Sequence, residues 1–156
     1  MKSRIAAGDR CFYSPGQIFG TRAKSKAVKI KIRKTKVEPA VVFGSETLAM
    51  TEMDVTRLDM WERKILRRIQ GPVVVQGMWR IRTNQELREL YKDLVIEADI
   101  KNKRLERFGH VVRMDQGRTV KKIFENKPEG SRRRGRRRMR WLEDVEKDIR
   151  EMKVKR

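Results

Sequence analysis

From Ser131 to Arg140 the chain reads Ser-Arg-Arg-Arg-Gly-Arg-Arg-Arg-Met-Arg, seven arginines in ten residues. Guanidiniums this close repel one another unless an anion lies against them, and their planar fork donates two parallel hydrogen bonds that match a phosphate. Arg132, Arg133, Arg134, Arg136, Arg137, Arg138 and Arg140 therefore point to a polyphosphate partner. Gly130, Ser131 and Gly135 interrupt the run, and no apolar residue stands between Gly130 and Arg138. It has no core face to bury and reads as a flexible linker or arm. A solvated basic tail or a nuclear-localisation signal would have the same composition.

Other residues that could do chemistry are few. Cys11 beside Phe12 and Tyr13 has no histidine near it in sequence, so it reads as a small packing residue rather than a nucleophile. His110 is the single histidine, which with one cysteine leaves no set of zinc ligands, and it reads as a packing or helix-end residue. Gly44-Ser45-Glu46-Thr47 places a carboxylate between two hydroxyls, a pattern better explained by local hydrogen bonding in a turn. Polymerase or nuclease chemistry needs clustered aspartates holding two divalent metals, and the chain has no Asp-Asp pair; Glu143-Asp144 stands alone on a charged helix face. There is no Gly-rich phosphate loop, no nucleophile with its base, and no helix-turn-helix or zinc-finger spacing. The expectation is a chain without catalytic residues, metal or cofactor.

Charge separates the chain into parts. Residues 1–50 hold 11 basic and 3 acidic residues (+8), residues 51–100 hold 9 of each, and residues 101–156 hold 21 and 9 (+12). The neutral middle reads as the folded part and the two basic ends as the parts that meet a partner. A net charge of +20 over 156 residues favours nucleic acid or an anionic membrane. Membrane is the weaker choice, because the longest apolar runs, Val73–Val75 and Pro39–Phe43, are far too short to span a bilayer. The start Met1-Lys2-Ser3-Arg4 is not followed by the apolar core of a signal peptide, and one cysteine suits a reducing compartment. Both indicate an intracellular protein.

The elements that must position these charges follow from periodicity. Lys2–Gly20 suggests two short helices around the turn signal Ser14-Pro15-Gly16. Val28-Lys29-Ile30-Lys31-Ile32-Arg33 alternates like a half-buried strand. A helix there would instead put Val28 and Ile32 on one face, with Pro39 as a stop. Thr51–Gly71 is the clearest helix, opened by Thr51-x-x-Asp54 and carrying Val55, Leu58, Trp61, Ile65 and Ile69 as a core stripe. Pro72–Arg82 reads as a loop whose ends pack. Thr83-x-x-Glu86 is a capping box opening a short helix with Leu87, Leu90 and Tyr91 on one face, a candidate partner for the Trp61 stripe.

Asp93 can cap the next helix, in which Ile96, Ile100, Leu105 and Phe108 oppose Lys101, Lys103, Arg104 and Arg107, and Gly109 loosens or ends it. Val120–Glu125 supports one or two turns. Met139–Lys153 forms a last helix with Leu142, Val145, Ile149 and Met152 as its stripe. Its acidic residues Glu143, Asp144 and Glu146 follow the arginine run closely enough to neutralise part of it.

In order along the chain, these stretches resemble the region downstream of the polymerase active site in reverse transcriptases of LINE-type, non-long-terminal-repeat retrotransposons, especially RTE and jockey-like elements. The likeness is carried by residues 4–13 (Arg-Ile-Ala-Ala-Gly-Asp-Arg-Cys-Phe-Tyr), 29–35 (Lys-Ile-Lys-Ile-Arg-Lys-Thr), Pro39 with Gly44-Ser-Glu-Thr47, and Trp61-Glu-Arg-Lys-Ile-Leu-Arg-Arg-Ile69. It continues through Trp79-Arg-Ile-Arg82, Glu86-Leu-x-Glu-Leu-Tyr91, Arg104-Leu105, Gly109-His-Val-Val-Arg-Met114, and Lys127-Pro-Glu-Gly with the arginine run up to Trp141-Leu142. The chain departs from the family at Leu48 and Arg107, where tryptophan is usual, and at Arg137, where proline is usual; these departures suggest a drifting copy. The resemblance implies a thumb and the segment after it, which hold template and primer while the palm does the chemistry. It also implies helix rather than strand at Val28–Val37.

The expected architecture is mainly α, a small thumb-like helical bundle. It divides into a basic helical segment over 1–50, a helical core over 51–115, a basic linker over 116–138 and a C-terminal amphipathic helix over 139–156. The expected function is that of a catalytically inactive fragment of a retrotransposon-derived reverse transcriptase. It would grip the backbone of RNA, DNA or their hybrid without sequence preference, in the nucleus, with no membrane and no small-molecule substrate. Lys29, Lys31, Arg33, Lys34, Lys101, Lys103, Arg104 and Arg107 would contact phosphate beside the arginine run. A free-standing basic chromatin or ribonucleoprotein component is the alternative.

Overall fold

A computed structural model describes residues 1–14, 18–21, 23–91, 96–126 and 140–152. The protein is mainly α. Its helices are α1 (Lys2–Tyr13), α2 (Lys26–Ile32), α3 (Glu38–Val42), α4 (Glu52–Gln70), α5 (Asn84–Leu90), α6 (Ile96–Val112), α7 (Thr119–Glu125) and α8 (Trp141–Glu151). A two-stranded hairpin of β1 (Val73–Val75) and β2 (Met78–Arg80) stands between α4 and α5.

Helix α4 forms where its caps and stripe predict. The Asp54 N–H donates to Thr51 Oγ1 at 3.2 Å and the Thr51 N–H donates back to Asp54 Oδ2 at 3.3 Å. These two bonds satisfy donors that the first helical turn leaves open. Gly71, with φ of +72°, ends the helix in a backbone conformation that a side chain would strain. Leu58, Trp61, Ile65 and Ile69 are buried as expected, together with Leu66 and Glu62.

The face they pack against is not the expected one. Leu87 is buried, but Leu90 is half exposed, so α5 covers only one end of the stripe. The core instead joins α4 to Phe12 and Phe19, to Val37, Val41 and Val42, and to Ile96 and Ile100 of α6. The N-terminal third therefore belongs to the folded core and is not merely a basic end, because its sparse apolar residues fall on one inward face.

Helix α1 comes close to α3 and α4 at Gly8. A methyl group there would overlap Val41 Cγ2 and the six-membered ring of Trp61. The Trp61 ring is buried, and its Nε1 donates to Asp9 Oδ1 at 3.0 Å. Trp61→Ala is expected to cost about 3–5 kcal/mol through the cavity it leaves. Thermal unfolding measures that loss, and an unchanged midpoint would contradict the burial. After α1 there is no second short helix among the described residues: residues 18–20 form a turn that inserts Phe19, stacked on Phe12 with ring centroids 4.2 Å apart.

Residues 26–42 are helical, and the strand suggested by alternation does not form. Pro39 does not stop the helix either. The rod passes through a π-helical turn, Arg33–Val37, in which the Glu38 N–H donates to Arg33 O, five residues back. Pro39 has no N–H to give to the preceding turn, and the widened turn just before it lets α3 continue. Lys29, Arg33, Val37 and Val41, four apart, face inward together with Val42, while Val28 faces solvent.

Pro72–Arg82 is a hairpin rather than a loop. Val73 pairs with Arg80, Val74 with Trp79 and Val75 with Met78. The connection is Gln76-Gly77 with φ of +50° and +78°, the two-residue turn whose twist suits antiparallel strands. An isolated two-stranded ribbon is marginal by itself. This one is braced by arginines: Arg82 Nε donates to Gly71 O at 3.0 Å, Arg67 Nε to Arg82 O at 3.2 Å, and Arg80 to both oxygens of Glu86. The Arg80 hydrogen bonds, followed by that of the Thr83 N–H, hold the Glu86 carboxyl down at about 2.

Helix α6 runs through Gly109 to Val112 without a break. Asp93, expected to cap it, lies outside the described residues. Helix α8 buries Val145 together with Asp144 and Asp148, while Met152 of the expected stripe is exposed.

Candidate nucleic-acid interface

The cations read as phosphate contacts divide into three groups. Arg33 and Arg104 are 0% and 3% exposed, and Lys29 is also buried, so none of the three presents its charge to an external backbone. This corrects the expectation for those residues. Lys29 Nζ donates to Thr21 O at 2.7 Å, its hydrocarbon stem lying along the core. Arg33 reaches Glu62 Oε1 at 2.5 Å and Glu38 Oε2 at 3.4 Å, and donates to the Tyr91 hydroxyl, whose ring also lies under the guanidinium. The second Glu62 oxygen accepts the Ile96 N–H, the first of α6, at 3.5 Å. Burial raises the Glu62 pKa, and Arg33 opposes it.

Arg104 is the corresponding clasp for α8. It reaches Asp148 Oδ2 at 2.7 Å and Asp144 Oδ2 at 3.7 Å, and donates to Leu48 O at 3.3 Å. The same Asp144 oxygen accepts the Met50 N–H at 2.7 Å. One guanidinium thus ties α6, α8 and the segment entering α4 together. Among the described residues Asp144 is thus held by Arg104 and the Met50 N–H, while Arg132 to Arg138 of the arginine run lie outside them. Burial raises the Asp148 pKa, with Arg104 and then Lys101 opposing.

Lys101 and Lys103 form an intermediate group with acidic partners on the surface. Lys101 bridges Glu97 at 2.9 Å and Glu151 at 2.8 Å; burial lowers its pKa, but those two bonds prevail and raise it to about 12. Lys103 pairs with Asp99 at 3.0 Å.

Lys31, Lys34 and Arg107 are exposed, Lys34 with its ammonium 5.8 Å from the Tyr91 ring centroid, and Arg140 is half-buried. Arg132, Arg133, Arg134, Arg136, Arg137 and Arg138 lie outside the described residues. Lys24, Lys26, Lys36, Arg113, Arg118 and Lys122 are exposed cations outside the expected set of phosphate contacts. Their signal was only the segment charge, with no spacing to mark them.

The non-basic candidates find local roles. Ser45 Oγ donates to Val42 O at 2.6 Å and Thr47 Oγ1 to Gly44 O at 3.0 Å, so the Gly-Ser-Glu-Thr stretch is a hydrogen-bonded turn. His110 is exposed in the last turn of α6, and Cys11 is half-buried and unpaired by disulfide. Among the described residues no group of three or more histidine, cysteine, aspartate or glutamate side chains is placed to hold a metal ion, and no helix is long and apolar enough to cross a membrane.

No protein-family model, curated protein or solved structure matches this chain.

Proposed function

We propose that this protein is a non-catalytic fragment of a retrotransposon-derived reverse transcriptase that grips nucleic-acid backbone without reading its sequence. The observation that carries the binding is where the charge goes. Of the 41 basic residues only Lys29, Arg33, Arg104 and Lys121 are buried among the described residues, and of the 21 acidic ones Glu62, Asp144 and Asp148. Twelve of the basic and two of the acidic residues lie outside the described ones, so the described residues carry an excess of +10, and four buried cations against three buried carboxylates leave +9 of it outside the core. A field of that size attracts a polyanion, and scattered cations without base-reading geometry neutralise phosphates irrespective of sequence.

The retrotransposon origin rests on the ordered resemblance of the sequence stretches, and the mainly helical fold is compatible with a thumb. The helical bundle would carry the basic surface, and the arginine run would add a dense set of phosphate contacts.

Titration of the full chain against unrelated duplex and single-stranded oligonucleotides at several salt concentrations tests this reading. Affinity should depend little on sequence and fall steeply with salt, log K against log salt having a slope of about −0.9 per phosphate contact on duplex. A slope corresponding to fewer than about three released ions would refute a multi-arginine backbone contact.

A further inference from the structure

A groove of about 330 Å³ lies between α6, α7 and the start of α8. Val111, Val120, Ile123, Phe124 and Trp141 line it, and Arg107 and Arg140 line it too. We propose that this groove receives one unpaired base of a bound single strand, with Arg107 and Arg140 on the adjoining phosphates. The inference rests on the nucleic-acid reading above and adds to it a base-holding site.

Three features of the groove point to this occupant. Its aromatic wall is held in place: Trp141 Nε1 donates to Glu46 O at 2.6 Å, and the Phe108, Phe124 and Trp141 rings form a cluster with centroids 5.9, 6.5 and 6.0 Å apart. Fixed aromatic surfaces are the platforms on which bases stack, whatever their identity. Secondly, Ile123 is 71% exposed and Val120 47% exposed, one helical turn apart on α7, although both line the groove. Apolar side chains left open at a concave site mark a surface that a ligand covers.

Thirdly, neither the Arg107 nor the Arg140 guanidinium has an ion-pair or hydrogen-bond partner among the described residues, in a fold where Arg33 and Arg104 have several. Two free guanidiniums beside an apolar, aromatic-walled groove fit a ligand that is a flat ring at one end and an anion at the other. A purely apolar ligand would leave both charges uncompensated, and a second copy of this +20 chain would add repulsion. The base must be unpaired, because bases in a duplex are stacked and cannot enter a groove without being extruded. A nucleotide in a strand rather than a free one is indicated by two separate guanidiniums, which suit the phosphates on either side of the base.

The test compares oligonucleotides of equal length and phosphate number: an intact single strand, the same strand with abasic sites, and a blunt duplex, with a nucleoside monophosphate as a fourth ligand. Binding is read by fluorescence anisotropy at fixed salt for the full chain and for Ile123→Glu and Val120→Glu, two exposed positions where substitution spares the core. The intact strand should bind about tenfold more tightly than its abasic counterpart, the lower part of the range for one stacked base. Either glutamate variant should bring that ratio close to one while the salt slope changes little.

Equal binding of intact and abasic strands would overturn the groove proposal and leave backbone binding standing. A ratio that survives both glutamate variants would place the stacking elsewhere and overturn it as well. A monophosphate binding as tightly as the strand would assign the groove to free nucleotides and overturn the strand reading. Absence of salt-dependent binding to every oligonucleotide would remove both proposals.

Discussion

Arg104→Ala should destabilise the protein by about 3–5 kcal/mol, the usual cost of removing one member of a buried ion pair and leaving its partner's charge unmatched. For a chain of this size that lowers the unfolding midpoint by roughly 6–20 °C. The loss should depend on pH. Burial already raises the Asp148 pKa above 3.8, and Arg104 is the largest opposing influence, so removing Arg104 raises it further. A carboxyl that holds its proton more tightly in the folded than in the unfolded state loses stability as pH rises from the unfolded value through the folded one.

The variant's deficit should therefore be smallest in acid near pH 3.8 and grow towards neutrality. Chemical unfolding of wild type and variant across that range measures it. A deficit that stays constant with pH, or one below about 1 kcal/mol, would mean that the pair contributes as a surface bridge does. Arg104→Leu combined with Asp148→Leu should recover part of the loss, because it removes the two closest charges together while Asp144 keeps the Met50 N–H. Failure of that double variant to improve on Arg104→Ala would show that the Asp148 charge is not the main source of the loss.

Replacing Arg132, Arg133, Arg134, Arg136, Arg137 and Arg138 with glutamine should weaken binding to every sequence alike and flatten the salt slope by about 5 units on duplex, near 0.9 for each lost phosphate contact. Folding should scarcely change. No apolar residue is removed, and α8 is anchored by Arg104, by the Met50 N–H on Asp144 and by Trp141 on Glu46 O. The rival outcome is an internal clasp, with the run held against the acidic start of α8; the salt slope would then persist and the helical content of α8 would fall. Binding against salt and circular dichroism on this one variant separate the two.

Much of the bundle is local in origin and was therefore legible. The Thr51/Asp54 and Thr83/Glu86 boxes each form within a few residues, so α4 and α5 start where the sequence says. The stripe from Leu58 to Ile69 is periodic along a single helix, and its burial needs only some apolar partner. The hairpin was within reach of pattern reading, since two short β-rich runs flank Gln76-Gly77, but glutamine at the first turn position is not the usual signal and Val73–Val75 alone suggested a packed loop.

The site was legible in charge and not in placement. Periodicity alone places Lys29, Arg33 and Arg104 on polar faces, because it treats every cation as solvent-seeking. Glu62 lies 29 residues from Arg33, and Asp148 lies 44 from Arg104. No local pattern links such partners. The groove likewise brings Arg107 from α6, Ile123 from α7 and Trp141 from α8 to one place, three helices whose relative packing no stripe specifies.

What the sequence by itself determined is the charge excess, the commitment to helix, and the absence of any run long enough to span a bilayer, since these depend on composition and on neighbours within a turn or two. The tertiary structure alone decided which cations are spent inside. A guanidinium enters a core only where a carboxylate from another helix pairs with it, and that meeting is set by how the rod of residues 26–42 packs on α4 and how α6 packs on α8.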